Sequence, residues 1–153
     1  MNILLIGATG QIGYALTQAL AASGHQLTVM ARRLPQPAFA ANVRVHQVAE
    51  FTHAAFCQAL QGVDAVIYGV GLPEQFAFDT GVFDRVNLGL FRQFLAALET
   101  TPVRRLVYIS TYEVFQTIDG TIRESHPIRP LQGMTPYFQA MIKAYQLALG
   151  TAE

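Results

Sequence analysis

Ile3-Leu4-Leu5-Ile6-Gly7-Ala8-Thr9-Gly10-Gln11-Ile12-Gly13 reads as a buried strand, a glycine turn and the opening of a helix, in that order. That order is what a dinucleotide pyrophosphate site requires. Gly7 permits the tight turn off the strand. Gly10 lets backbone N–H groups approach phosphate oxygens with no side chain between, and Gly13 lets the helix pack close to the sheet. The phosphates would then sit at the helix N-terminus, where unpaired N–H groups and the positive dipole end favour an anion. A Gly-x-x-Gly-x-x-Gly spacing alone also suits a purely structural turn. The strand before it and the helix after it turn the reading toward nucleotide binding.

Outward from this run, strands alternate with helices. Residues 2–7 form the first strand. A helix over 11–22 carries Ile12, Leu16 and Leu20 on one face, and Gly24 stops it. Leu27–Met30 is a second strand, ending at Arg32 and Arg33 before a loop broken by Pro35 and Pro37. Val43–Val48 alternates as a third strand, and a short helix over 53–60 carries Phe56 and Leu60. Asp64–Tyr68 is the fourth strand. A helix over 80–99 places Phe83, Val86, Leu90, Phe94 and Leu98 along one apolar stripe. Arg105–Ser110 is the fifth strand, residues 112–134 are irregular, and Thr135-Pro136 caps a final helix through Leu149. Right-handed crossovers then make a Rossmann-type, doubly wound parallel α/β sheet in the order 3-2-1-4-5, helices on both faces, over a single domain spanning 1–153. The ligand crevice falls at the carboxyl ends of strands one and four.

Bulk composition agrees with a soluble domain in the cytoplasm. The 153 residues carry ten basic and ten acidic side chains, which suggests neither a nucleic-acid stripe nor an anionic membrane partner. The one cysteine, Cys57, excludes an internal disulfide framework. No apolar run approaches the roughly 18 residues of a membrane span. His25, His46, His53 and His126 show no metal-ligand spacing, so no metal is expected. The chain is 52% hydrophobic and only 13% charged, a surplus that points to surface covered by a partner or by further chain.

Gly7-Ala8-Thr9-Gly10-Gln11-Ile12-Gly13 resembles the opening of extended short-chain dehydrogenases/reductases, the NAD(P)-dependent epimerase/dehydratase group. Gly62–Ile67 is similar to that family's entry into strand four, Val86-Asn87-Leu88-Gly89 to the Asn-x-Gly of its long helix, and Leu106–Thr111 to its strand five. Glu124, Pro127, Pro130 and Pro136-Tyr137 resemble the approach to its catalytic tyrosine. The resemblance covers residues 3 to about 147 and implies an NAD(P)-dependent oxidoreductase or nucleoside-sugar epimerase/dehydratase-like domain. It implies catalytic roles for Thr111, Tyr137 and Asn87. Cofactor contacts are expected from Gly7, Thr9, Gly10, Gln11, Ile12 and Gly13, from Arg32 and Arg33, from Gly69, Val70 and Gly71, and from Ser110. It also implies a small-molecule substrate, and a homodimer through helices 80–99 and 135–149. The family continues into a substrate-binding region beyond the residues matched here, so strand five would be left as a sheet edge, and either the chain is a fragment of a longer protein or it covers that edge by association.

One departure bears on chemistry. The family lysine four residues after the tyrosine is Met141 here. Lys143 stands two residues further, about 200° around the helix, and cannot replace it. With an unperturbed pKa of about 10, an unaided tyrosine is scarcely ionised at neutral pH. A base for alcohol oxidation is therefore scarce, while an acid for carbonyl reduction is present. As to the cofactor, Met30-Ala31-Arg32-Arg33 has no acid to accept ribose hydroxyls. Two guanidinium groups suit a 2′-phosphate, so NADP is expected, with NAD as the alternative. Three readings stay open: an impaired reductase or epimerase-like enzyme, a non-catalytic NADP(H)-sensing module, and an interaction protein that keeps the fold only, with the helix containing Phe83, Phe91 and Phe94 as its contact surface.

Overall fold

The computed structural model describes residues 1–34, 37–76 and 79–150; Pro35 and the last three residues of the chain lie outside them. The strands are β1 Asn2–Ile6, β2 Gln26–Ala31, β3 Val43–Gln47, β4 Ala65–Tyr68 and β5 Arg105–Tyr108. They form one parallel sheet in the order β3-β2-β1-β4-β5, as the alternation of elements requires. Ile6 pairs with both Met30 and Tyr68, so β1, β2 and β4 finish side by side and their exits converge.

The chain divides into two compact units, Met1–Val70 with Gln93–Ile109, and Gly71–Arg92 with Ser110–Glu153. The first holds the whole sheet. Ile3, Leu5, Leu27, Val29 and Val43 pack with Leu16, Leu20 and Ala21 of α1 (Gln11–Ala22). Tyr68 packs on Phe94 at 4.9 Å between ring centroids. Phe94 meets Phe56 of α2 (His53–Ala59) edge-on at 5.6 Å. Each such buried side chain contributes about 1.5–3 kcal/mol of transfer free energy. The buried line of α1 is Gly13, Thr17 and Ala21, with Leu16 and Leu20 beside it. Ile12, expected on the apolar face, is instead 60% exposed at the helix start. Val107 on β5, the last strand of the sheet, is likewise 45% exposed.

The helix expected over 80–99 forms with one change of winding. It runs as α3 Gly81–Phe83, a π-helical segment Asp84–Gly89, and α4 Leu90–Leu98. Leu90 N–H reaches back five residues to Arg85 C=O. A side chain at Gly89 would put its Cβ 3.1 Å from Asp84 O, so glycine accommodates this wider turn. The extra residue rotates the turns C-terminal to it, and the buried set becomes Phe83, Asn87, Leu88, Phe91, Phe94, Leu95 and Ala97. Val86, Leu90 and Leu98 are only half-buried. Phe83, Phe91 and Phe94 are at most 3% exposed, so a contact surface on this helix would be formed by its other side chains.

In the second unit a cluster of Val114, Phe115, Met141 and Ile142 is covered by Ile122, Ile128, Met134, Tyr137 and Tyr145. The 112–134 segment is more ordered than expected. A 3₁₀ turn spans Tyr112–Val114, Phe115 bridges to Ile128, and Ile118 pairs with Thr121 across Asp119-Gly120, both at positive φ. Asp-Gly is the sequence such a tight hairpin turn favours. Helix α5 spans Pro136–Gly150 with Thr135 before it, as expected. No helix among the described residues is long and apolar enough to cross a membrane.

Candidate functional site: the glycine loop and the Tyr137 cluster

The first unit builds the glycine loop from β1 and α1. Gly7 has φ +97°, and a Cβ there would lie 2.5 Å from Gly69 O. A Cβ on Gly13 would overlap the Gly7 carbonyl. These two glycines are required by the protein's own packing. Gly10 is different. Its φ of −78° and ψ of 166° are open to any residue, and a Cβ would meet only Gly7 O at 3.5 Å, an ordinary contact. Gly10 N–H donates to Gly7 O at 3.1 Å, and no side chain caps α1. Thr9, Gly10, Gln11 and Ile12 are exposed around that helix start. On the neighbouring strand Gly69 N–H donates to Ile6 O at 2.8 Å, which fixes the exit of β4 beside the loop; Val70 comes next, half-buried.

Arg32 and Arg33 lie just after β2 and are exposed, with no acid at that strand end. The two differ in surroundings. The Arg32 guanidinium carbon lies 5.5 Å from the centroid of Phe51, within cation–π range. No motif in the sequence points to Phe51. None points to the pairing of His53 either, whose ring nitrogens lie 3.8 Å from Cys57 Sγ one helical turn along.

The second unit holds the residues expected to do chemistry. Thr111 Oγ1 accepts from Glu113 N–H at 3.3 Å and lies 3.5 Å from Glu113 Oε2. Ser110 Oγ is buried with no hydrogen-bond partner among the described residues. Tyr137, in the first turn of α5, packs edge-on against Phe83 at 5.5 Å. Its pKa is raised by burial first and then by the Glu113 and Glu74 carboxylates. Asn87 is 1% exposed. Its Oδ1 accepts from Leu72 N–H at 2.7 Å, and its Nδ2 donates to Leu72 O at 3.1 Å. The same amide meets Met141 Sδ at 3.8 Å. Asn87 thus clamps the backbone just after Gly71, which is itself exposed. Met141 is 8% exposed within the apolar cluster, and Lys143 is half-buried.

A family model described as NAD(P)H-binding matches residues 7–149. The chain belongs to that NAD(P)H-binding family. No curated protein matches it. Among solved structures, MoeE5 in complex with UDP-glucuronic acid and NAD is 26% identical, with a TM-score of 0.80 over 99% of this chain and 50% of that one. The UDP-glucuronic acid 4-epimerase of Bacillus cereus, bound to UDP-glucuronic acid and NAD, is 21% identical with a TM-score of 0.81 over 98% of this chain and 52% of that one. A short-chain dehydrogenase/reductase superfamily protein from Agrobacterium tumefaciens with bound NAD is 24% identical, with a TM-score of 0.80 over 97% and 44%. The NAD(P)H-binding chain therefore spans about half the length of these structures, and it has the fold of the cofactor-binding part of extended short-chain dehydrogenases/reductases. The residues present fit a dinucleotide. Gly10 leaves room that the protein's own packing does not use, and the start of α1 leaves its N–H groups uncapped.

Two tyrosines, Tyr68 buried and Tyr137 half-buried, give the NAD(P)H-binding chain a testable alkaline limit. Tyr68 is fully buried, and desolvation, then the nearby Tyr108, pushes its pKa far up; Tyr137 shifts in the same direction. A raised folded pKa means stability that is intact below the unfolded value of about 10 and lost as the pH rises past it. Urea unfolding between about pH 10 and 11 should show a loss of about 1 kcal/mol from Tyr68. Tyr68→Phe should flatten that slope, and an unchanged slope would refute the assignment.

Proposed function

We propose that this chain holds NADP(H) in preference to NAD(H) and that Tyr137 serves as a proton donor, not a base, giving a catalytically impaired oxidoreductase or epimerase-like domain. The observation that carries the chemistry is Met141. A methionine buried against Val114, Phe115 and Ile142 stands where a cation would stabilise a phenolate. Burial and two carboxylates hold the Tyr137 proton on. The chemistry a bound nicotinamide supplies is hydride transfer. Against it, a neutral phenol can give a proton to a carbonyl being reduced but cannot take one from an alcohol near pH 7. Thr111 Oγ, on the turn before Tyr112, supplies a hydroxyl for a substrate oxygen.

The preference for NADP(H) rests on Arg32 and Arg33 at the end of β2 and on the lack of an acid there. The same reading takes a small-molecule substrate, a cytoplasmic location and a homodimer through helices 80–99 and 135–149.

A second reading, a module that binds NADP(H) without turnover, is favoured by the Asn87 amide, which is spent on Leu72 and Met141. The test combines nucleotide titration with tyrosine titration. NADPH should bind saturably and more tightly than NADH. The Tyr137 contribution to tyrosinate absorbance, taken as the difference from Tyr137→Phe, should emerge only above about pH 10. Met141→Lys should move it downward and raise NADPH affinity or turnover. Ionisation of Tyr137 near neutral pH in the unmodified chain, or a Met141→Lys chain unchanged in affinity, turnover and titration, would end the proposal of impairment.

A further inference from the structure

We infer that Arg32 alone reads a 2′-phosphate on the bound nucleotide and that Phe51 is the positioning residue that holds it ready. This rests on the NADP(H) preference proposed above and adds to it which arginine acts and how it is ordered.

The two arginines are equal in sequence and unequal in structure. Both are exposed after β2, whose Met30 pairs with Ile6 immediately before the glycine loop. Arg32 has its guanidinium over the Phe51 ring at 5.5 Å. Phe51 is anchored in turn, stacked on Phe56 at 5.9 Å with the rings only 9° apart. Phe56 is fully buried and wedged edge-on against Phe94 at 5.6 Å. An aromatic ladder therefore runs from the core of the first unit to one surface cation. Gln47 Nε2, 3.4 Å from Arg32 O, also touches the backbone that carries it.

A free arginine loses side-chain entropy when it closes on a phosphate. A guanidinium already held over a ring has lost part of it and still has N–H donors to offer in charge-assisted bonds. Among the described residues Arg32 makes no ion pair, so no carboxylate competes with an incoming phosphate. Arg33 has neither ring nor ion pair to order it among the described residues, so its charge adds only a screened background.

The experiment is calorimetric titration of the chain with NADPH and NADH, and with Arg32→Ala, Arg33→Ala, Phe51→Leu and Phe51→Tyr. The readout is the ratio of the two dissociation constants. Arg32→Ala should reduce the NADPH preference about tenfold or more. Phe51→Leu should reduce it about threefold while leaving NADH affinity unchanged, because only the 2′-phosphate contact depends on the ordered cation. Phe51→Tyr should restore it, and Arg33→Ala should barely alter it. A Phe51→Leu chain that weakens both nucleotides alike, or neither, while Arg32→Ala abolishes the preference, overturns the role of Phe51 and spares the NADP(H) reading. An unmodified chain with no preference for NADPH overturns that reading and this inference together.

Discussion

Gly10→Ala should leave the fold standing and weaken dinucleotide binding at least about tenfold, whereas Gly7→Ala and Gly13→Ala should damage the fold itself. The three glycines share one loop but differ in what a methyl group would meet. At Gly7 it would press within 2.5 Å of Gly69 O on a backbone at φ +97°, and at Gly13 it would overlap the Gly7 carbonyl. Neither contact can be relieved by turning a side chain, since both neighbours are backbone. A cost above about 3 kcal/mol is expected for each, a large share of the roughly 5–15 kcal/mol that holds a domain together. At Gly10 the methyl finds only an ordinary 3.5 Å contact at a φ any residue adopts. The lost N-cap preference and the gained chain stiffness then nearly cancel, within about 1 kcal/mol. The same methyl would stand among the N–H groups at the start of α1 and keep phosphate oxygens out. The NADPH dissociation constant should rise at least about tenfold, or about 1.4 kcal/mol, with the urea midpoint almost unchanged. Wild-type NADPH affinity in Gly10→Ala would remove the phosphate role from this loop, and wild-type stability in Gly13→Ala would contradict the packing.

The legibility of this molecule in its sequence depends on the range of the interactions. The Gly10-to-Gly24 limits of α1 and the order of the five strands come from punctuation and periodicity within single elements, and they are legible residue by residue. The π turn at Asp84–Gly89 is not, because a repeat of 3.6 residues has no place for a bond that skips five, although Gly89 is a local trace of it. The same periodicity puts Ile12 on the buried face, since it cannot see that the first turn of α1 projects past the packed core. At the site, Met141 in place of lysine is plain from a count along one helix. The Arg32–Phe51 pair is not, because nothing in the spacing of residues 32 and 51 shows that β3 and α2 bring them together. The proximity of Glu113 to Thr111 does leave a local trace, an acid two residues along the chain from a hydroxyl at a strand end.

Asn87→Leu should destabilise the chain by about 2–4 kcal/mol, and Asn87→Asp by at least as much at neutral pH but far less in acid. The leucine fills the space and removes both bonds to Leu72, leaving a partly buried N–H and C=O unpaired. The aspartate keeps an acceptor for Leu72 N–H at the 2.7 Å position of Oδ1. It also sets a second carboxylate oxygen against Leu72 O and Met141 Sδ, where Nδ2 now donates at 3.1 Å and 3.8 Å. At a position 1% exposed, desolvation and these two acceptors raise the folded pKa of the introduced carboxyl above its unfolded value of about 3.9. The protonated form can donate to Leu72 O again, so stability is retained below that unfolded value and lost as the pH rises through the folded one. Urea unfolding of both variants at about pH 4 and pH 7 therefore separates two roles for the amide. If Asn87 is a clamp on residues 71–72, only the aspartate variant recovers in acid, and nucleotide affinity falls in step with stability. If both variants are as stable as the unmodified chain at both pH values, the Leu72 bonds contribute nothing. The burial of an amide beside Met141 would then need another cause.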